Sequence, residues 1–136
     1  MTATAAQAGS TLAERITAVE RAYEFMLAYA AQGRKREDEG GVASGARERL
    51  EQAHAALDGL AKMTVGELQA SGTDAYGGFL DVLRNDARKA HAMIGLVLAQ
   101  PSISSQLVDN LNASIHLRAI LTDLFVIGEA LKAAGS

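Results

Sequence analysis

Cysteine is absent from the 136 residues, and with it go disulfides, iron–sulfur clusters, thiolate zinc sites and cysteine nucleophiles. Tryptophan is absent too. Aromatic residues make up only 4% of a chain that is 49% apolar, so its core has to be built from Ala, Leu, Ile and Val, the stock of helix bundles. Positive charge is not in surplus: 13 basic against 16 acidic residues leave a net charge of -3, which argues against a dedicated nucleic-acid binder. The most apolar windows, Ala90 to Ala99 and Ala119 to Gly128, fall well short of the roughly 20 residues of a membrane span, so no membrane association is expected. The opening MTATAAQAGS lacks the basic and apolar regions of a secretory signal, and a cytoplasmic location is expected. The spacings of the P-loop, the dinucleotide fingerprint, the zinc-protease helix and the nucleophile elbow do not occur.

What is present is amphipathic periodicity. Residues 1–9 read as a flexible Ala/Gly/Thr arm and 10–136 as one helical domain. Thr11 and Glu14 form a capping box, followed by Leu12, Ile16, Val19, Tyr23, Met26 and Ala30 on one helical stripe ending near Gly33. Arg34 to Gly41 sets three bases beside three acids and two glycines, which reads as a solvated connector. A second helix is expected from Ala43 to Met63. Thr64 and Glu67 form another box, opening either a short extra turn through Ala70 or a continuation of that helix. The cluster Ser71 to Asp74 starts a third helix running to Ala99, before Pro101. A fourth is expected to run unbroken from about Ser102 to Ala134. The fold class is therefore all-α, an antiparallel up-down four-helix bundle.

Two patterns could carry chemistry. Glu51-Gln52-Ala53-His54 places a carboxylate and an imidazole one turn apart, with Glu20 on the first helix as a third candidate ligand. The set resembles half of a ferritin-like di-iron site, and that resemblance implies metal binding by Glu20, Glu51 and His54, the other half coming from a second copy. The third and fourth helices lack the matching E-x-x-H. The plainer alternative is a surface helix, because Glu51 falls outside the Leu50/Leu57 stripe and His54 at its edge.

The second pattern, Ala90-His91-Ala92-Met93-Ile94-Gly95, resembles the core motif of histidine phosphotransfer domains, small four-helix bundles carrying a phosphoryl group on an exposed helical His. The resemblance implies His91 as acceptor. Arg88 and Arg84, one and two turns earlier, would stand in for the Lys that the family has where Ile94 lies. The alternative is a packed, hydrogen-bonded histidine or a degenerate, unphosphorylated member of that class. His116 is expected to face solvent. Asp86 lies close to the apolar stripe of the third helix and needs a partner, for which Arg118 is the candidate. Tyr23, Tyr29 and Tyr76 read as core-edge residues, and Met26, Met63 and Met93 as gap-fillers. Ser71, Ser104 and Ser105 have no neighbouring His or acid that suggests a nucleophile.

The late third and fourth helices carry apolar residues over more than one stripe. Leu117, Ile120, Leu124, Phe125 and Ile127, with Met93 and Leu96, are expected to form an interface, most simply a homodimer. A partner helix laid in a groove, or a small apolar ligand accommodated at Gly95 and Gly128, are the alternatives. The expectation is a non-enzymatic module that binds protein, as an adaptor, chaperone-like or regulatory unit, without a cofactor.

Overall fold

Thr11 and Glu14 close the expected box: Thr11 Oγ1 accepts from the Glu14 amide at 3.1 Å, and Glu14 Oε1 accepts from the Thr11 amide at 2.8 Å. Two orphan donors are thereby satisfied, and α1 runs from Leu12–Ala30. The computed structural model describes residues 11–39, 44–68 and 74–135. The arm over 1–9, the glycines at 40–41 and the breaker at 71–73 lie outside the described residues. α2 spans Ala46–Ala61, entered through Gly45 at φ +82°, a left-handed conformation that a side chain would strain. The second box produces the short extra turn, a 3₁₀ segment at Val65–Leu68. Thr64 Oγ1 accepts from the Glu67 amide there, and the Glu67 carboxylate accepts from the Thr64 amide. α3 covers Asp74–Leu98.

The fourth predicted helix is two helices, α4 at Ser105–Asn112 and α5 at Ile115–Gly135, bent by 57° at the break. Two polar side chains explain the interruption. Asn112 turns inward and its Nδ2 donates to the Met26 carbonyl at 3.1 Å, while Ser114 Oγ accepts from the His116 amide at 3.1 Å and opens α5. Asn and Ser compete with the helical ladder in this way wherever a nearby backbone group is within reach. The bend lets one stretch of chain serve two neighbours: α4 packs on α1, and α5 packs on α3.

The described residues contain five α-helices and no strand. α1 lies against α2, and α2 against α3. Their facing stripes form one core: Val19, Ala22 and Met26 of α1, Leu50, Leu57 and Leu60 of α2, and Leu80, Leu83, Ala87, Ala90, Ile94 and Val97 of α3. α5 adds Leu117, Ile120, Leu121, Leu124 and Ile127. No single described helix is long and apolar enough to cross a membrane.

Polar stitches fix both ends. At one end the expected solvated connector is tied down. Glu37 takes the Arg47 guanidinium through both oxygens, at 3.1 and 2.9 Å, and also accepts from the Ile103 amide at 3.0 Å. Arg47 donates onward to the Leu98 and Gln100 carbonyls, at 2.8 and 3.0 Å, covering orphan acceptors at the end of α3. Ser105 Oγ accepts from the Arg34 amide and donates to the Tyr29 carbonyl, and the buried Tyr29 hydroxyl donates to the Ile103 carbonyl at 2.6 Å. At the other end Arg15, itself buried, pairs with Glu67 at 3.0 Å and pins the 3₁₀ turn to α1. Burial alone would raise the Glu67 carboxyl, but bonds from Arg15 and Thr64 outweigh it and hold its pKa below the ordinary value.

Replacing Arg47 by Ala should therefore destabilise the fold by about 1–2 kcal/mol, because Glu37 and two carbonyls lose their donor together. Arg36→Ala, which removes a pair exposed on both sides, should stay within about 0.5 kcal/mol of the parent. Urea melts of the two variants check the contrast; equal effects would mean that the Arg47 cluster does not hold the connector.

Candidate functional site

The buried stripe of α3 is bordered on each side by a titratable residue, and each meets a like residue from a neighbouring helix. On the side that faces α2, His91 stacks on His54, with ring centroids 3.7 Å apart and planes inclined by 18°. Both residues are half-buried. Gly95, one turn beyond His91, makes the space: a Cβ there would stand 3.3 Å from His54 Nε2. Burial first, and the neighbouring His91 second, push the His54 pKa below its usual 6.5, against the pull of Asp58. Neutral rings stack at little cost, whereas two charged rings at this distance repel.

On the side that faces α5, Asp86 meets Asp123 rather than Arg118. Arg118 is exposed on the outer side of α5, and Asp86 forms no ion pair with it. Burial and the adjoining Asp86 raise Asp123 to about 7. Asp123 Oδ2 is sealed from solvent and accepts no hydrogen bond. Burial and the adjoining Asp86 both disfavour the charged form of Asp123, so its carboxyl keeps a proton well above the ordinary carboxylate range.

The other predicted site residues are dispersed. Glu51 is exposed and Glu20 half-exposed, and among the described residues no three His, Asp or Glu come together to hold a metal ion. Glu20, Glu51 and His54 thus do not come together as a ligand set, and the ring that His54 meets is the face of His91. His91 has one ring face closed by His54. Arg84 engages Asp81 and Arg88 engages Asn85, both at 3.4 Å, and Ile94 is core. Tyr29, Met26 and Met63 are fully buried, as core packing requires. Ser104 caps α4 through the Leu107 amide, and the Ser105 hydroxyl is committed to Tyr29 and Arg34.

The expected interface divides. Leu117, Ile120, Leu124 and Ile127 are at most 3% exposed, sealed by the chain's own helices because the bend at 113–114 swings α5 onto α3. Met93 is half-buried against the same core. Phe125 remains 56% exposed, Val126 55% and Leu96 64%. Gly95 is filled by His54 rather than by a ligand, and nothing stands within 4 Å of a Cβ at Gly128. Three contributors were not singled out as functional from the sequence: Asp123, Glu37 and Arg47. Asp123 carried one signal, a lone carboxylate within the most apolar stretch of the chain, the setting in which an acid needs a partner.

The acid pair makes a signed prediction. The unfolded carboxyl releases its proton near the ordinary 3.8, whereas folded Asp123 keeps it up to about 7. Its contribution to stability is full below the lower value, declines as pH rises between the two, and is gone above the upper one. Asp123→Asn should therefore gain most melting temperature over the parent at pH 8, less at pH 5, and little or none below the ordinary 3.8. A difference that does not change with pH, followed by calorimetry, would show that folded Asp123 does not hold its proton. Comparison with protein-family models, with curated proteins and with solved structures returns no match to this chain.

Proposed function

We propose that this chain is a non-enzymatic, cytoplasmic interaction module, an antiparallel four-helix bundle whose fourth member is the bent pair α4 and α5, and that it works as a homodimer. The supporting observation is the outer stripe of α5. Ile115, Arg118, Thr122, Phe125, Glu129 and Lys132 recur at alternating steps of three and four, all of them exposed, with Val126 beside Phe125. That is the spacing of a helix seam that packs on another helix.

The charges on the stripe favour a second copy as the occupant. Arg118 and Glu129 stand equally far from the bond between Asp123 and Leu124, and so do Thr122 and Phe125. Two α5 helices crossing antiparallel about that point would set Arg118 of each against Glu129 of the other, with the Phe125 rings covered at the centre. A two-fold contact of this kind is closed and uses one patch twice. Glu129 also approaches Lys132 at 3.6 Å, a pair so exposed that it competes only weakly. Adaptor, chaperone-like and regulatory roles are all compatible with such a unit.

Light scattering at micromolar concentration should give twice the chain mass, and Phe125→Glu should weaken association by about tenfold or more. Arg118→Glu should weaken it less, and adding Glu129→Arg to that variant should restore it, since the opposite pairing is recreated across the axis. A monomeric parent would overturn the proposal. Failure of the double variant to recover would overturn the antiparallel register.

A further inference from the structure

The stacked imidazoles join helices held otherwise by apolar contact and, at the end of α3, by the bond from Arg47. α2 and α3 meet through Ala53 and Leu57 on one side and Ala90 and Ile94 on the other, all buried, and His54 and His91 each follow directly after one of these residues in the chain. The rings therefore sit at the edge of the α2–α3 seam, half-open to solvent, so protons reach them while the residues behind stay dry.

We propose that the His54–His91 stack is a proton-operated latch: with at most one ring charged it keeps the α2–α3 seam closed, and with both charged it forces the seam apart. Centroids at 3.7 Å leave no space for a water or a counter-ion between the rings. A first proton is tolerated, because a neutral imidazole can face an imidazolium with its π-system. A second places two positive rings face to face in a half-desolvated position. The His54 ring has no retreat toward α3, because its Nε2 already rests close over Gly95.

The charged neighbours do not relieve this. On α2, Asp58 lies one turn after His54 and attracts a proton to it, but shares its carboxylate with Lys62 at 3.1 Å. Glu51, one turn before, is exposed, and Arg47, two turns before, is held by Glu37 and the end of α3. On α3, Arg88 and Arg84 precede His91 by one and two turns and add positive charge. The sign follows from the lowered His54 value: stability is full above the ordinary 6.5 and falls as acid moves below it toward the folded value, because the unfolded chain takes the proton more readily than folded His54. This latch is independent of how α5 associates.

NMR titration of the full chain from pH 8 to 4.5, with amide exchange across residues 53–57 and 90–94, tests it. The two imidazoles should titrate as a coupled pair, each sensing the other, and exchange in these two segments should accelerate as the second proton binds, ahead of the rest of the core. In His91→Gln the His54 titration should move up and the acid acceleration should vanish, while His116→Gln leaves both unchanged. Where His91→Gln does not fold, His54→Gln reads the same seam from α2 and should likewise abolish the acceleration. Independent titration of the two rings in the parent, or acid opening that persists when either ring is gone, would overturn the latch.

Discussion

Leu80, Leu83, Ala87, Ala90, Ile94 and Val97 of α3 are almost completely withdrawn from water, and the shelter comes from α2 along one side and α5 along the other. The remaining helices are arranged around this burial. α1 backs α2, α4 is bent away from α5 to reach α1, and Arg47 reaches over to cover the last carbonyls of α3. At about 25 cal/mol per Å² of apolar surface, such a stripe outweighs the separate polar stitches, which serve to select one arrangement of the helices.

The same burial accounts for the two pairs of like residues. A titratable group at the edge of a buried stripe is kept neutral or paired, because burial penalises its charged form. His54 and His91 meet this by stacking ring on ring, and burial disfavours a charge on His54. Asp123 meets it beside Asp86, where burial and the neighbouring carboxyl raise its pKa and favour the protonated form. His54 and Asp123 therefore respond to protons in opposite senses: acid charges the imidazole, and alkali charges the carboxyl. Each flank of α3 thus carries a group whose charged form burial opposes.

Much of the helical framework was legible in the residues. Thr11 with Glu14 and Thr64 with Glu67 marked two starts that the structure has, and Val19 and Met26 of the first expected stripe and Leu50 and Leu57 of the second are buried, with Leu12, Ile16, Tyr23 and Ala30 partly so. The bend at 113–114 was not legible, because Asn112 and Ser114 are tolerable within a helix, and only the Met26 carbonyl arriving from α1 gives the Asn112 amide a reason to turn inward. The partner of Asp86 was misread for a related reason. Charge logic favoured Arg118, but the rotation of α5 about its own axis carries Asp123 to that place and leaves Arg118 outside.

By itself, then, the sequence determined that this chain is helical, where most of its helices begin, and that it has no thiol chemistry, since caps and periodicity are local and composition is global. Tertiary structure alone decided which apolar residues stay in water. Along 117–127 nearly every direction around the helix is greasy, and periodicity cannot choose a side until a neighbour covers one. It also decided that His54 and His91, far apart in the chain and each unremarkable on its own helix, would lie against one another. Contact between helices depends on how they are placed in space, and no local spacing encodes that placement.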